Sequence, residues 1–202
     1  MIALLLAALI AAPAPITLTQ YIAERNPAAT PYAAELAVAL KSAAAAHDLD
    51  WRALAAVAWI ESRYVRTVGG KAHESGVMQV RTVDLGLSTP WGRLRRAGKV
   101  PKKWDRPWRQ INRRTRVVIL QDIPITTYLG AWCIAQAIRI CRRLGHRVGP
   151  YKGQRLSQLG RRYHRDNLER WGHYNSGIRM PRRGYMRALR KELARIKRLV
   201  QD

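Results

Sequence analysis

Apolar positions along this chain recur mostly at helical spacing, and the β-branched alternation that a strand needs is scarce, so the pattern predicts a mainly α fold. A helix is expected from Pro31 to about His47, because a proline's missing N–H costs nothing in a first turn. A second is expected to follow Asp50, a good N-cap, and to run from Trp51 to Tyr64. Gly69-Gly70 closes that region, and a glycine turn at Ser75-Gly76 precedes Val77-Met78-Gln79-Val80. A long helix is expected from about Ile125 to Leu144, a loop from Gly145 to Gly160, and a last helix from about Arg182 to Val200. No fixed-period repeat interrupts this order.

One carboxylate breaks the pattern. Leu54, Val57 and Ala58 stand seven, four and three residues before Glu61, so Glu61 continues the inward stripe of the second helix. Burial disfavours a charged carboxyl and moves its titration toward the range of a general acid at neutral pH. A Glu paired with an arginine at the edge of the stripe is the plainer alternative.

Charge changes the picture next. The 202 residues carry 37 Lys and Arg against 13 Asp and Glu, a formal net charge of +24, which directs the chain toward polyanions: nucleic acid, anionic lipid or acidic wall polymers. The cations concentrate between Trp91 and Arg116, where eleven Lys or Arg face a single acid, Asp105. Trp91, Trp104 and Trp108 are interleaved, and Pro101 and Pro107 interrupt any long helix, so an irregular basic insertion outside the core is expected. Such a segment would present its tryptophans and cations to long anionic strands.

Two cysteines exclude a disulfide framework and a Cys-rich zinc module. Cys133 and Cys141 fall in one predicted helix, where eight residues rise about 12 Å, beyond the roughly 7 Å that a disulfide spans. Both are therefore expected as small buried apolar groups. His47, His73, His146, His164 and His173 show no metal-ligand spacing, and no metal is expected. Residues 1–15 hold the uncharged run Met1 to Ala12 and then Pro13-Ala14-Pro15, which matches the apolar part of a secretory leader and is short for a bilayer. No cation precedes the run, and prolines disturb the Ala-x-Ala positions. Export to the periplasm or cell envelope is expected, with the leader cleaved or kept as an anchor; a buried first helix is the alternative.

Three motifs then converge. The helix ending Ala58-Trp59-Ile60-Glu61-Ser62, the turn Ser75-Gly76-Val77-Met78-Gln79-Val80 with Gln79 eighteen residues after Glu61, and Tyr174-Asn175-Ser176-Gly177 stand in this order. Together they resemble the soluble lytic transglycosylase domain of glycoside hydrolase family 23, in the lysozyme-like superfamily. The likeness covers roughly Ala34 to Gln79 and Ile125 to Leu189 and skips the basic insertion. Val77 replaces the family's usual Leu, no Asn-Pro follows Gln79, and Glu74 stands where a small residue is usual. The resemblance implies that residues 16–202 form one lysozyme-like helical domain. Its activity would be cleavage of the bond between N-acetylmuramic acid and N-acetylglucosamine in peptidoglycan, yielding a 1,6-anhydromuramoyl end.

Glu61 would be the catalytic acid and base. Gln79 and Asn175 would hydrogen-bond the sugars, and Tyr174 would steady the developing cation or hydrogen-bond Glu61. Ser62 and Met78 would border the substrate or support the groove from below. Related goose-type lysozymes use further acids to hold a hydrolytic water, which makes Glu74 a possible second carboxylate; a surface Glu paired with Lys71 or an arginine is the alternative. The expected partner is peptidoglycan, met by a monomer or within a cell-envelope complex, without a cofactor. A non-catalytic basic protein that binds wall or nucleic acid is the competing class, and no helix-turn-helix signature supports specific nucleic-acid recognition.

Overall fold

A computed structural model of the chain describes residues 14–67, 74–82, 85–143 and 183–201. The leader through Pro13, the expected loop from Gly145 and the Tyr174-Asn175 motif lie outside the described residues. Helix α1 (Leu18–Arg25) begins with a reciprocal cap. Thr17 Oγ accepts from the Gln20 N–H at 3.2 Å, and Gln20 Oε1 accepts from the Thr17 N–H at 2.8 Å. A 3₁₀ stretch over Pro27–Tyr32 absorbs Pro31, so α2 (Ala33–His47) starts two residues later than the pattern predicts. Helix α3 (Trp51–Ser62) is capped by Asp50, whose carboxylate accepts from the Arg52 N–H at 2.9 Å.

Two short strands, β1 (Glu74–Ser75) and β2 (Val80–Arg81), pair antiparallel. Helices α4 (Ser88–Arg96), α5 (Arg113–Leu120), α6 (Ile123–Arg143) and α7 (Arg183–Leu199) follow. The architecture is mainly α, as the periodicity predicts. Ala53 through Ala58 are all buried, so α3 is enclosed around its whole circumference and forms the centre of the core. It packs against α7, while alanine-rich α2 lies along α6. The first and last described segments are clasped: the Ile16 N–H donates to Leu199 O at 2.9 Å and the Gln201 N–H to Ile16 O at 3.2 Å. Cys133 and Cys141 do share α6, although Cys133 is half-buried rather than enclosed. Among the described residues no single helix is long and apolar enough to cross a membrane.

The basic segment departs from expectation. Trp91 and Trp108 are each 1% exposed and meet with ring centroids 5.2 Å apart, and Leu94 and Ile111 are buried beside the core. Trp91 Nε1 donates to Arg106 O at 2.7 Å. Arg116 reaches back to donate to Thr82 O at 3.0 Å and Trp108 O at 2.8 Å. Burial of two indoles outweighs the local charge, because the surrounding cations lie on the outer faces while the rings point inward. The segment is thus anchored in the core by its apolar residues while most of its cations are exposed, and of its three tryptophans only Trp104 is half-buried.

One contact in this core sets an acid sensitivity. His47 is buried at the end of α2, 4.5 Å from the Tyr128 ring of α6. Burial, followed by the positive charges of Arg139 and Arg93, lowers its titration from 6.5 to about 4. The folded state therefore favours neutral His47, and the unfolded chain binds the extra proton first as pH falls. This contribution is complete above pH 6.5 and is lost between pH 6.5 and 4, an effect on the order of 3 kcal/mol. Denaturant midpoints should fall across that window, and His47→Leu should flatten the fall.

Candidate active site

Helix α3 ends in an abrupt reversal. Arg63 and Tyr64 both adopt left-handed backbone, with φ of 56° and 65°, a conformation that non-glycine residues seldom take. Four hydrogen bonds fix it. The Arg63 N–H donates to Trp59 O at 2.8 Å and the Val65 N–H to Ser62 O at 3.0 Å. The Asn26 side-chain amide donates to Arg63 O at 2.7 Å, and the Tyr32 hydroxyl to Tyr64 O at 3.0 Å. The fully buried Tyr64 ring seals the reversal from within. Glu61 and Ser62 are therefore presented by a helix end with little freedom to move.

Ser62 ties this helix end to the second motif. Its buried hydroxyl lies 3.1 Å from Ala58 O and 2.8 Å from Val77 O, with both carbonyls placed to accept. Val77 belongs to the turn Gly76–Gln79 that joins β1 to β2. The turn needs left-handed backbone at both ends: Gly76 has φ 76° and Gln79 has φ 48°. The Gln79 N–H and side-chain amide both donate to Gly76 O, at 3.0 and 2.9 Å. A Cβ on Gly76 would come within 1.8 Å of Leu120 O, so this position leaves no space for a side chain. Below the turn, the fully buried Met78 lies so close to Gly130 of α6 that a Cβ there would meet it at 2.7 Å.

Of the two roles expected for Ser62 and Met78, these contacts fit support of the groove. Ser62 and Met78 are enclosed and act as supports, Ser62 joining two backbones and Met78 seating the turn on α6. Gln79 is also buried, at 8% exposure, with its amide nitrogen committed to its own turn. Glu74 stands on β1 directly across from Arg81, so an oppositely charged neighbour lies on the adjacent strand. Tyr174 and Asn175 lie outside the described residues.

Glu61 itself is half-buried at the end of the buried stripe formed by Leu54, Val57 and Ala58. The hydroxyl of Tyr185, in the first turns of α7, donates to Glu61 Oε1 at 2.8 Å across 124 residues of sequence. Burial, then the Glu61 charge and this hydrogen bond, push the Tyr185 phenol far above its ordinary range, so it remains a proton donor at any working pH. A donor on the carboxylate favours its charged form and opposes the effect of burial. Sequence reasoning missed Tyr185. The available signal was its spacing with Met186, Leu189, Leu193 and Ile196, which marks one face of α7 as inward.

The arrangement is a half-buried carboxyl that accepts a hydrogen bond from a phenol, on a helix end tied by Ser62 to the Gly76–Gln79 turn. Among the described residues no group of three or more His, Cys, Asp or Glu is placed to share a metal ion. Comparison with protein-family models, curated proteins and solved structures finds no match to this chain.

Proposed function

We propose that this protein is a lytic transglycosylase of peptidoglycan with Glu61 as its single catalytic acid and base. The observation that carries the reading is the linkage of Glu61 to the Gly76–Gln79 turn through the buried Ser62 hydroxyl, with Tyr185 oriented on the carboxylate. Two of the three motifs that suggested the family are thereby joined by direct contact.

The chemistry is a closed proton cycle. Protonated Glu61 gives its proton to the glycosidic oxygen between N-acetylmuramic acid and N-acetylglucosamine as the C1–O bond breaks and positive charge develops at C1. The resulting carboxylate takes the proton of the muramoyl C6 hydroxyl while O6 bonds to C1, closing the 1,6-anhydro ring and restoring the acid. No water is consumed and no second carboxylate is required. Tyr185 fixes one carboxyl oxygen through both steps, and Tyr174 and Asn175 complete the sugar contacts in this reading.

The direct test is digestion of purified sacculi by the exported, purified chain. Release of soluble muropeptides is expected; intact sacculi that merely bind the protein would replace an enzyme with a binding protein. Tyr185→Phe supplies a finer check. Loss of its hydrogen bond disfavours the carboxylate, so the pH profile of cleavage should move toward higher pH while substrate binding changes little. An unmoved profile would remove Tyr185 from the site.

A further inference from the structure

A second feature of α3 and α7 is built on residues other than Glu61 and Tyr185. A groove of about 590 Å³ runs between them, lined by Trp59, Ile60 and Arg63 of α3 and by Lys191, Arg195 and Arg198 of α7, with Arg25 of α1 at its edge. At 100° per residue Glu61 projects from a different side of α3 than Trp59, two residues before it. We propose that this groove binds a phosphate-bearing anion, a chemistry independent of glycan cleavage.

The charge balance inside the groove carries the argument. Its one acid, Glu192, is buried and already neutralised: Arg25 holds it with a 3.0 Å ion pair and the Tyr21 hydroxyl donates to it at 2.6 Å. Arg63, Lys191, Arg195 and Arg198 are exposed, and among the described residues none of them pairs with a carboxylate. Lys191, Arg195 and Arg198 are spaced four and three residues apart, so their like charges crowd one stripe of α7 and destabilise the bare helix. The helix dipole accounts for Arg198 in the last turn but not for Lys191 and Arg195 above it.

Such a row spans about 10 Å of helix axis, which suits an anion carrying more than one phosphate. Guanidinium forks match phosphate oxygens in pairs. Trp59 organises the rim, with the Arg25 and Arg63 guanidiniums 3.9 and 4.7 Å from its ring centre. Because its ring already carries two cations, it offers little for stacking a nucleobase, so the groove fits phosphate and not the bases of a nucleic acid. The phosphate can come free in solution or on a lipid headgroup, and the two sources are separable.

The test uses the full chain and two probes at physiological ionic strength: inorganic tripolyphosphate, and vesicles of phosphatidylglycerol compared with phosphatidylcholine. Lys191→Gln, Arg195→Gln and Arg198→Gln are combined in one variant, and Arg96→Gln, Lys99→Gln and Lys102→Gln in a control of equal charge loss. Removing charge-assisted contacts should weaken tripolyphosphate binding by ~10-fold or more in the groove variant and by under about 2-fold in the control. An equal loss on phosphatidylglycerol vesicles assigns the groove to headgroups as well, whereas unchanged vesicle binding assigns it to free phosphate. Equal weakening by both variants, or no binding of either probe by the natural chain, overturns the proposal. Should the triple variant fail to fold, Arg195→Gln alone is read by the same comparison against Lys99→Gln.

Discussion

Glu61→Gln is expected to cut muropeptide release by ~10⁴-fold or more while leaving the melting temperature and sacculus binding nearly unchanged. Removing one general acid or base typically costs about 10²–10⁴ in rate, and here a single group serves both proton transfers. The amide keeps the shape of the side chain and can still accept from the Tyr185 hydroxyl through its carbonyl oxygen, so the contact that joins α3 to α7 survives. Paired measurement of cleavage rate and thermal stability separates the two effects. Activity within a few-fold of the natural chain would move catalysis to another residue.

Gly76→Ala is expected to be the most damaging small substitution in the described fold. Two penalties coincide: a left-handed backbone at φ 76°, and a Cβ placed 1.8 Å from the Leu120 carbonyl oxygen. Backbone cannot rotate out of the way as a side-chain tip can, so the turn must separate from α5, and the loss should exceed about 4 kcal/mol. Gly98→Ala isolates the first penalty, because Gly98 has φ 65° and no heavy atom within 4 Å of an added Cβ. It should cost only about 1–2 kcal/mol. Comparable denaturation midpoints for the two variants would show that the contact with Leu120 is not a constraint.

Helices α2, α3, α6 and α7 were legible because their apolar residues repeat locally, whereas the shorter α1, α4 and α5 were not expected. The α3 stripe that ends at Glu61, the long α6 and the last helix all follow from neighbouring residues. The need for Gly76 was legible only in part: the turn was visible, but the Leu120 carbonyl that forbids a side chain comes from 44 residues later. Tyr185 was hidden for the same reason, since its role depends on α7 packing across α3 and not on any local pattern. The basic segment was misread because charge density was weighed above apolar spacing. Trp91 with Leu94, and Trp108 with Ile111, are three-residue pairs that already marked inward faces. Motif likeness left Ser62 and Met78 open between bordering the substrate and supporting the groove, because it carries no information on which side chains a turn spends holding itself together.

The measurement that bears most directly on the assignment is mass spectrometry of the products released from purified peptidoglycan. A transglycosylase working through Glu61 alone yields muropeptides ending in a 1,6-anhydromuramoyl residue, each lighter by one water than its hydrolytic counterpart, and Glu61→Gln yields none. Products with an ordinary reducing muramoyl end would contradict closure of the anhydro ring and would require a held water, with Glu74 as the carboxylate to examine. Anhydro products formed at the natural rate by Glu61→Gln would contradict the account at its centre.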